Sequence, residues 1–422
     1  MHRTNKKPQD FNKLVQRAFI KFEVARPQEL KFKKVTDYKI DESDPFIKIG
    51  EAVATAKNQF DLIPRKDFDT LMHILDMYAG LKRTFREDYK KIISTNASLK
   101  MYELIIQMKL LSCETGQLDK VRAFCNAELP GAFIDTINFY LRTQCPATNF
   151  DWVASSYFPE DALANGDPTI LGDQYGLYAN NRSQWIMGPR PNAMPIGELP
   201  TTGDITDFNV VVSLANAVKV RFNDIGATLY TSDVGVEVKD YNKQEEITAV
   251  LNYGQIISGI LSLAPGGNLV TKQYTFVTPF SRSVIALVSY FFDKTFIVKP
   301  FTSRPLNSEV YLVGMGFQGI DAKTSDILLQ YLNTYSTSKS TVLSPIIDMS
   351  EVDDSILRAA RQIHERQQVA FINEAIELYK QWGQQLNQLK KVLSRDINRV
   401  QQEWLSANPV KQIRDDQQLA MN

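Results

Sequence analysis

Between residues 120 and 320, short apolar runs alternate with helix-length segments, and this alternation narrows the fold more than any other feature of the chain. Strand candidates are 123–127, 152–155, 228–231, 267–272, 295–298 and 310–313. Helix candidates between them include 133–142, 244–263 and 280–292. Strands and helices in turn predict an α/β sheet, mostly parallel, with helices on both faces. Ligands of such sheets lie beyond the carboxyl ends of the strands, so the polar residues at those ends are the ones to question.

The flanks read differently. Apolar residues recur at three and four over 66–112, at Phe68, Leu71, Met72, Leu75 and Tyr78, then Leu99, Met101, Leu104, Ile105 and Met108. The same spacing returns over 352–406, from Val352, Ile356 and Leu357 to Leu389, Val392 and Leu393. Both predict amphipathic helices; the second is either a packed appendage or a partner-binding coiled coil. Residues 1–34 carry ten Lys or Arg against three acids, which suits a solvated arm or a guide for a polyanion. The expected organisation is a basic arm and helical extension (1–92), a central domain (93–320) and a helical C-terminal extension (321–422).

Composition removes whole classes of function. Lys+Arg and Asp+Glu are 48 each, so a generally cationic surface is out and any nucleic acid must bind a local basic patch. Cys113, Cys125 and Cys145 form no C-x-x-C pair, so neither a disulfide framework nor a cysteine zinc site is expected, and a reducing compartment fits. His2, His73 and His364 are far apart, which leaves little for a histidine metal centre or a Ser-His-Asp hydrolase. Proton transfer falls to Lys, Asp or Glu, and no metal is expected. No apolar segment follows the basic start, and the runs 256–264 and 284–292 are too short to span a bilayer. A cytoplasmic protein without a membrane partner is the expectation.

Five strand ends carry the chemistry. Glu128-Leu129-Pro130-Gly131 precedes a helix, where a glycine turn and free N–H groups suit a nucleoside-type cofactor. Gly203-Asp204 offers a carboxylate that could accept from an adenine amino group or cap a helix. Asp233 ends an apolar strand near Gly235, Lys272 ends another, and a polar loop from Lys299 delivers Glu309 to the start of a third.

The set Lys100, Asp233, Lys272 and Glu309 resembles the K-D-K-E tetrad of the FtsJ-like ribose 2′-O-methyltransferases. Glu128-Leu129-Pro130-Gly131-Ala132-Phe133 resembles that family's E-A-P-G-(G/A)-F loop. Within it the chain is similar to the adrift-type, cap-specific mRNA 2′-O-methyltransferase 2 branch. The shared wording is Pro-Gly-Ala-Phe-Ile, Trp152-Val153-Ala154, Thr202-Gly203-Asp204-Ile205 and Asn307-Ser308-Glu309-Val310-Tyr311. The phrase from Asp240 to Glu246 is similar to the methyltransferase-like proteins of asfarvirus-type large DNA viruses.

The resemblance, over 93–320, implies a Rossmann-like fold that binds S-adenosylmethionine. Glu128, Pro130 and Gly131 would line its methionine and ribose end, Asp204 its adenine, and Asp233 its reacting end. Where related enzymes end the second strand in an acid, this chain has Ser155 and Ser156, so the ribose contact is unassigned. A ribose hydroxyl needs a base during transfer, and Lys272 would serve, with Asp233 orienting the amine and Glu309 holding Lys100. A lysine, ordinarily near about 10.4, becomes a base at neutral pH when burial and a second cation favour its neutral form.

The implied acceptor is RNA, next to a cap. Candidate phosphate contacts are Lys6, Lys7, Lys13, Arg17, Lys31, Lys33, Lys34, Arg83, Arg86 and Arg304, and candidate stacking residues Tyr175, Tyr178 and Trp185. The alternatives are a ribosomal or transfer RNA ribose methyltransferase, and a non-catalytic RNA-binding scaffold that joins a capping or transcription complex through its tails. A long loop after the second strand is the expected seat of substrate specificity. Host cytoplasm, a viral factory or the virion are the expected locations.

Overall fold

The computed structural model describes residues 19–35, 41–111, 119–158, 172–186, 202–236, 238–338 and 342–420. One seven-stranded sheet organises them: β1 (Ile20–Val24), β2 (Lys120–Asn126), β3 (Asn149–Ala154), β4 (Ala227–Ser232), β5 (Leu263–Gln273), β6 (Phe292–Lys299) and β7 (Val310–Phe317). The spatial order is β1-β6-β7-β5-β4-β2-β3. β2 pairs in parallel with β3 and β4, and β4 with β5. β7 is antiparallel to both β5 and β6, and β1 is antiparallel to β6. Thus β2 to β6 run one way and β1 and β7 the other, which is the mostly parallel α/β sheet the alternation predicts.

The helices are α1 (Pro45–Asn58), α2 (Arg65–Leu75), α3 (Ala79–Glu87), α4 (Asn96–Gln107), α5 (Ala132–Gln144), α6 (Phe208–Arg221), α7 (Ala249–Ser262), α8 (Pro279–Phe291), α9 (Ala322–Ser336), α10 (Asp353–Ala360), α11 (Val369–Trp382) and α12 (Leu386–Ala407). Successive strand residues feed opposite faces. Tyr230, Leu269 and Leu312 join a core with Val211, Ile256 and Val284 of α6, α7 and α8. Their neighbours Leu229, Val270 and Val313 join another with Met101, Ile105, Phe133 and Ile137 of α4 and α5. Both faces of the central strands are therefore covered, which explains why these strands read as unbroken apolar runs.

The two extensions share a third core. Leu71, Leu81 and Phe85 meet Tyr102, Phe139, Ile372, Leu389, Leu393, Val400 and Trp404. The apolar stripe of 352–406 is therefore spent within this chain, as a packed appendage. The uniform helix read over 66–112 is interrupted at Asp76–Tyr78 and again at 88–95.

Two expectations are corrected. The basic segment 1–34 is not solvated throughout: Ile20–Val24 forms β1, an edge strand against β6. Ile20, Phe22 and Val24 alternate with charges, and that period of two was masked by the surrounding lysines and arginines. Cys145 is disulfide-bonded, whereas Cys125 is free and buried. Spacing along the chain could not show which thiols the fold brings together. Among the described residues no helix is long and apolar enough to cross a membrane.

Candidate active site

After β2 the chain moves to β3 on one side and returns to β4 on the other. That reversal opens a crevice at the carboxyl ends of β2 and β4. Glu128 follows β2, Asp233 follows β4, and Lys272 lies near the end of β5. Because β7 is antiparallel, the residue just before it, Glu309, arrives at the same edge.

The tetrad assembles as two contacting pairs. The Lys272 amine donates to the Asp233 carbonyl at 2.9 Å and lies 3.4 Å from its carboxylate. The Lys100 amine donates to both oxygens of Glu309 at 2.9 Å. The side chains of Lys272 and Asp233 keep 11% and 18% of their exposure, so the pair is reachable without being solvated. Burial alone would push the Glu309 carboxyl up, but Lys100, then Lys272 and Lys299, override it and hold it down at about 2. An ionised Glu309 at the mouth anchors the Lys100 amine through both of its oxygens.

Each member has a reason for its place. Thr95 caps α4 in a reciprocal box with Ser98, which sets the helix that presents Lys100. Lys272 faces Tyr311 across the ladder, and its carbonyl accepts from Gln255 of α7 at 2.7 Å. A Cβ at Gly235 would stand 2.8 Å from the Lys272 nitrogen, so a bare backbone passes beside the amine.

Sequence reasoning missed several supports. The Tyr311 hydroxyl donates to the Asp233 carboxylate at 2.8 Å, and its ring lies 5.5 Å below the Lys100 amine. The signal was present: Glu309 and Tyr311 are two apart at the start of a strand, hence on one face. Ser303 donates to Glu309 at 2.9 Å. Glu103 is fully buried on α4 and accepts from the N–H groups of Phe301 and Thr302, which pins the start of the loop that carries Glu309.

The expected cofactor residues follow the strand ends, some with a second role. Gly131 opens α5 at φ +104°, where a Cβ would strike Leu177 at 2.0 Å, so only glycine serves. Pro130 precedes it in the same turn. One carboxylate oxygen of Glu128 accepts the N–H groups of Phe133 and Ile134 at 2.8 and 2.9 Å, capping α5. Burial pushes the Glu128 carboxyl up to about 8 against those donors. Asp204 does not cap α6, a role taken by Asp207; one of its oxygens accepts from Thr206 within its own loop. Ser155 donates to the Ile186 carbonyl and Ser156 accepts the Leu129 N–H, so both serines at the second strand end serve the fold. Glu128, Asp204 and Asp233 thus supply three acidic side chains near the carboxyl ends of the strands, beside a glycine turn and a helix start. This donor set fits a cationic nucleoside such as S-adenosylmethionine.

Beneath the same turn lies a second ionic group. The Lys91 amine contacts the Asp135 carboxylate of α5 and donates to the Ile93 carbonyl at 2.7 Å, with side chains 0% and 2% exposed. Burial pushes the amine down and the carboxyl up, each against the pull of its partner.

The stacking candidates are corrected. Trp185 and Tyr178 are buried, edge to face with one another and, for Trp185, with Trp152. Trp185 bridges to Ala154 at the sheet edge, so these rings are core and offer no free face. Tyr175 is half-buried. Of the cations, Lys31, Lys33, Arg83 and Arg304 are exposed and pair with Glu29, Asp348, Glu87 and Asp76 at 3.4 to 3.8 Å. Such pairs are weak, so each could exchange its acid for a phosphate. Arg86 and Lys34 are exposed. Lys6, Lys7, Lys13 and Arg17 lie outside the described residues, as does most of the loop expected to carry specificity.

Comparison with known proteins agrees with this geometry. The FtsJ-like methyltransferase family matches residues 94–317. Probable methyltransferase EP424R of African swine fever virus is 35% identical over 339 residues, covering 79% of this chain and 75% of its own length. The cap-specific mRNA (nucleoside-2′-O-)-methyltransferase 2 of Pongo abelii is 26% identical over 313 residues, 72% of this chain and 38% of its own. A provisionally assigned ribosomal RNA methyltransferase structure from Plasmodium falciparum covers 54% of this chain and 99% of its own at 15% identity, with a TM-score of 0.32 too low to bear on the fold. Family match and viral relative together leave one conclusion: the chain belongs to the FtsJ-like methyltransferases, a family of S-adenosylmethionine-dependent enzymes.

Proposed function

We propose that this methyltransferase acts on the ribose 2′-hydroxyl of RNA, at a nucleotide next to the mRNA cap, with Lys272 as general base. The observation that carries the reading is the Lys272 amine, 2.9 Å from the Asp233 carbonyl, at the ligand edge of the sheet with the Lys100–Glu309 pair on the same edge. S-adenosylmethionine, when bound, supplies a methyl group already activated on a sulfonium. The chain then has two tasks: to align the acceptor oxygen with that carbon and to take one proton.

Glu128, Gly131, Asp204 and Asp233 would hold the cofactor. Asp233, turned by Tyr311, fixes the amine of Lys272. The Lys272 nitrogen would take the proton of the acceptor hydroxyl as that oxygen is methylated. Lys100, held by Glu309, would stabilise negative charge growing on the oxygen. RNA is favoured as partner by the similarity to an enzyme named for the 2′-O-methylation of mRNA. Cap proximity is favoured by the similarity to a cap-specific enzyme. Action in the host cytoplasm or a viral factory, within a capping or transcription complex, belongs to the same proposal.

The test is transfer of labelled methyl to short transcripts that differ only in a 5′ cap, with mass-spectrometric mapping of the product. A 2′-O-methyl on the first or second nucleotide of the capped strand is expected. Equal transfer to internal positions of uncapped RNA would remove the cap from the reading, and methylation of a base would remove the ribose.

A further inference from the structure

The loop between β6 and β7 carries Glu309, and both extensions reach into it. From the N-terminal side, the Lys57 amine of α1 donates to the Ser308 hydroxyl at 2.9 Å. That amine is largely buried, and burial lowers it to about 8. From the C-terminal side comes Gln368. Its amide nitrogen donates to the Leu306 carbonyl at 2.7 Å and to the Ser308 hydroxyl at 3.0 Å. Its amide oxygen lies 2.9 Å from Nδ1 of His364. This contact orients the amide, because an oxygen turned to Nδ1–H leaves the NH2 group aimed at the loop.

The backbone at this point is unusual. Arg361–Gln368 is a π-helical segment between α10 and α11. Such segments are uncommon inside helices and recur at functional sites. Here it turns His364 and Gln368 inward together, at 0% and 2% exposure, among polar partners. Burial holds His364 neutral, its pKa lowered to about 3. A buried amide spent on two loop contacts next to Glu309 is more than filling for an appendage.

We propose that Gln368 is a positioning residue for methyl transfer: from the π-helical turn it fixes Leu306 and Ser308, and through them the seat of Glu309 against Lys100. The C-terminal extension is then part of the reacting assembly without touching substrate. The inference rests on the transfer reaction proposed above, and its experiment separates the two.

Gln368→Met keeps the volume and removes every hydrogen bond of the amide. In the full-length protein, backbone amide exchange over 300–310 should rise about tenfold, with that over 120–140 unchanged. The turnover number on capped RNA should fall about tenfold, with cofactor affinity, KM for RNA and melting temperature as in the parent. Ser308→Ala, which keeps the Leu306 contact, should show the same pattern at about threefold. If Gln368→Met fails to fold, Ser308→Ala decides. Unchanged exchange and turnover in the folded variant overturn the proposal, and so does a fall in turnover that comes only with lost cofactor binding. Should the parent protein transfer no methyl to any RNA, the transfer reading fails, and the exchange result alone still decides whether Gln368 sets the loop.

Discussion

Two lysine–aspartate pairs lie at the same edge of the sheet and do different work. Lys91–Asp135 is sealed at 0% and 2% exposure, and the amine has a carbonyl as second partner. Lys272–Asp233 keeps 11% and 18%, its carboxylate is 3.4 Å away, and a bare glycine passes beside the nitrogen. Composition alone would rank the two as equals. What separates them is access: each amine has a carbonyl and a carboxylate as partners, but the sealed pair is closed to any ligand and the open pair is not. A pair closed off from ligands can serve only the fold, and a pair left open at a strand-end crevice is a candidate for chemistry.

The contrast is sharpest at Lys272. Lys272→Ala should cost about a thousandfold in turnover, leaving cofactor affinity and melting temperature near the parent. Loss of stability without loss of turnover per folded molecule would place Lys272 with the structural pair. Lys91→Met should do the reverse. Removing one partner of a sealed pair leaves Asp135 buried without its cation, for a loss of about 3 kcal/mol in denaturant unfolding. Pairing it with Asp135→Leu should restore most of that. A stable Lys91→Met protein that transfers no methyl would break the comparison.

The smallest effect concerns Glu128, which feels both Asp233 and Asp135. Its carboxyl is raised from the ordinary 4.5 to about 8, chiefly by burial. Across that interval the folded chain keeps a proton that the unfolded chain has released, so stability falls as pH rises. Urea midpoints at about pH 5 and about pH 8.5 should therefore converge in Glu128→Gln relative to the parent. A parent protein whose stability rises over the same interval would show that Glu128 is ionised throughout.

Legibility from sequence followed the range of the interactions. The central strands were readable because a strand buried on both faces is apolar throughout, as in 228–231 and 310–313. Asp233, Lys272 and Glu309 were readable because strand ends are marked by glycine, proline and charge, whereas Lys100, inside α4, was reached only through the family resemblance. The edge strand β1 was not, since its alternation sits inside a lysine-rich arm. Trp185 and Tyr178 were misread because a ring in a long loop looks the same whether it faces solvent or fills a core. Lys91 and Asp135 are 44 positions apart, and Gln368 and Ser308 are 60 apart. Neither pair has a local signature, because only the packed extensions bring such residues together.

The glycine beside the reactive nitrogen matters more to that amine than to the scaffold. A methyl at position 235 would press on the far end of a flexible side chain, so the amine would swing aside and the scaffold would stand. With Lys272 as the proposed base, Gly235→Ala would then leave an intact molecule with its reacting amine displaced.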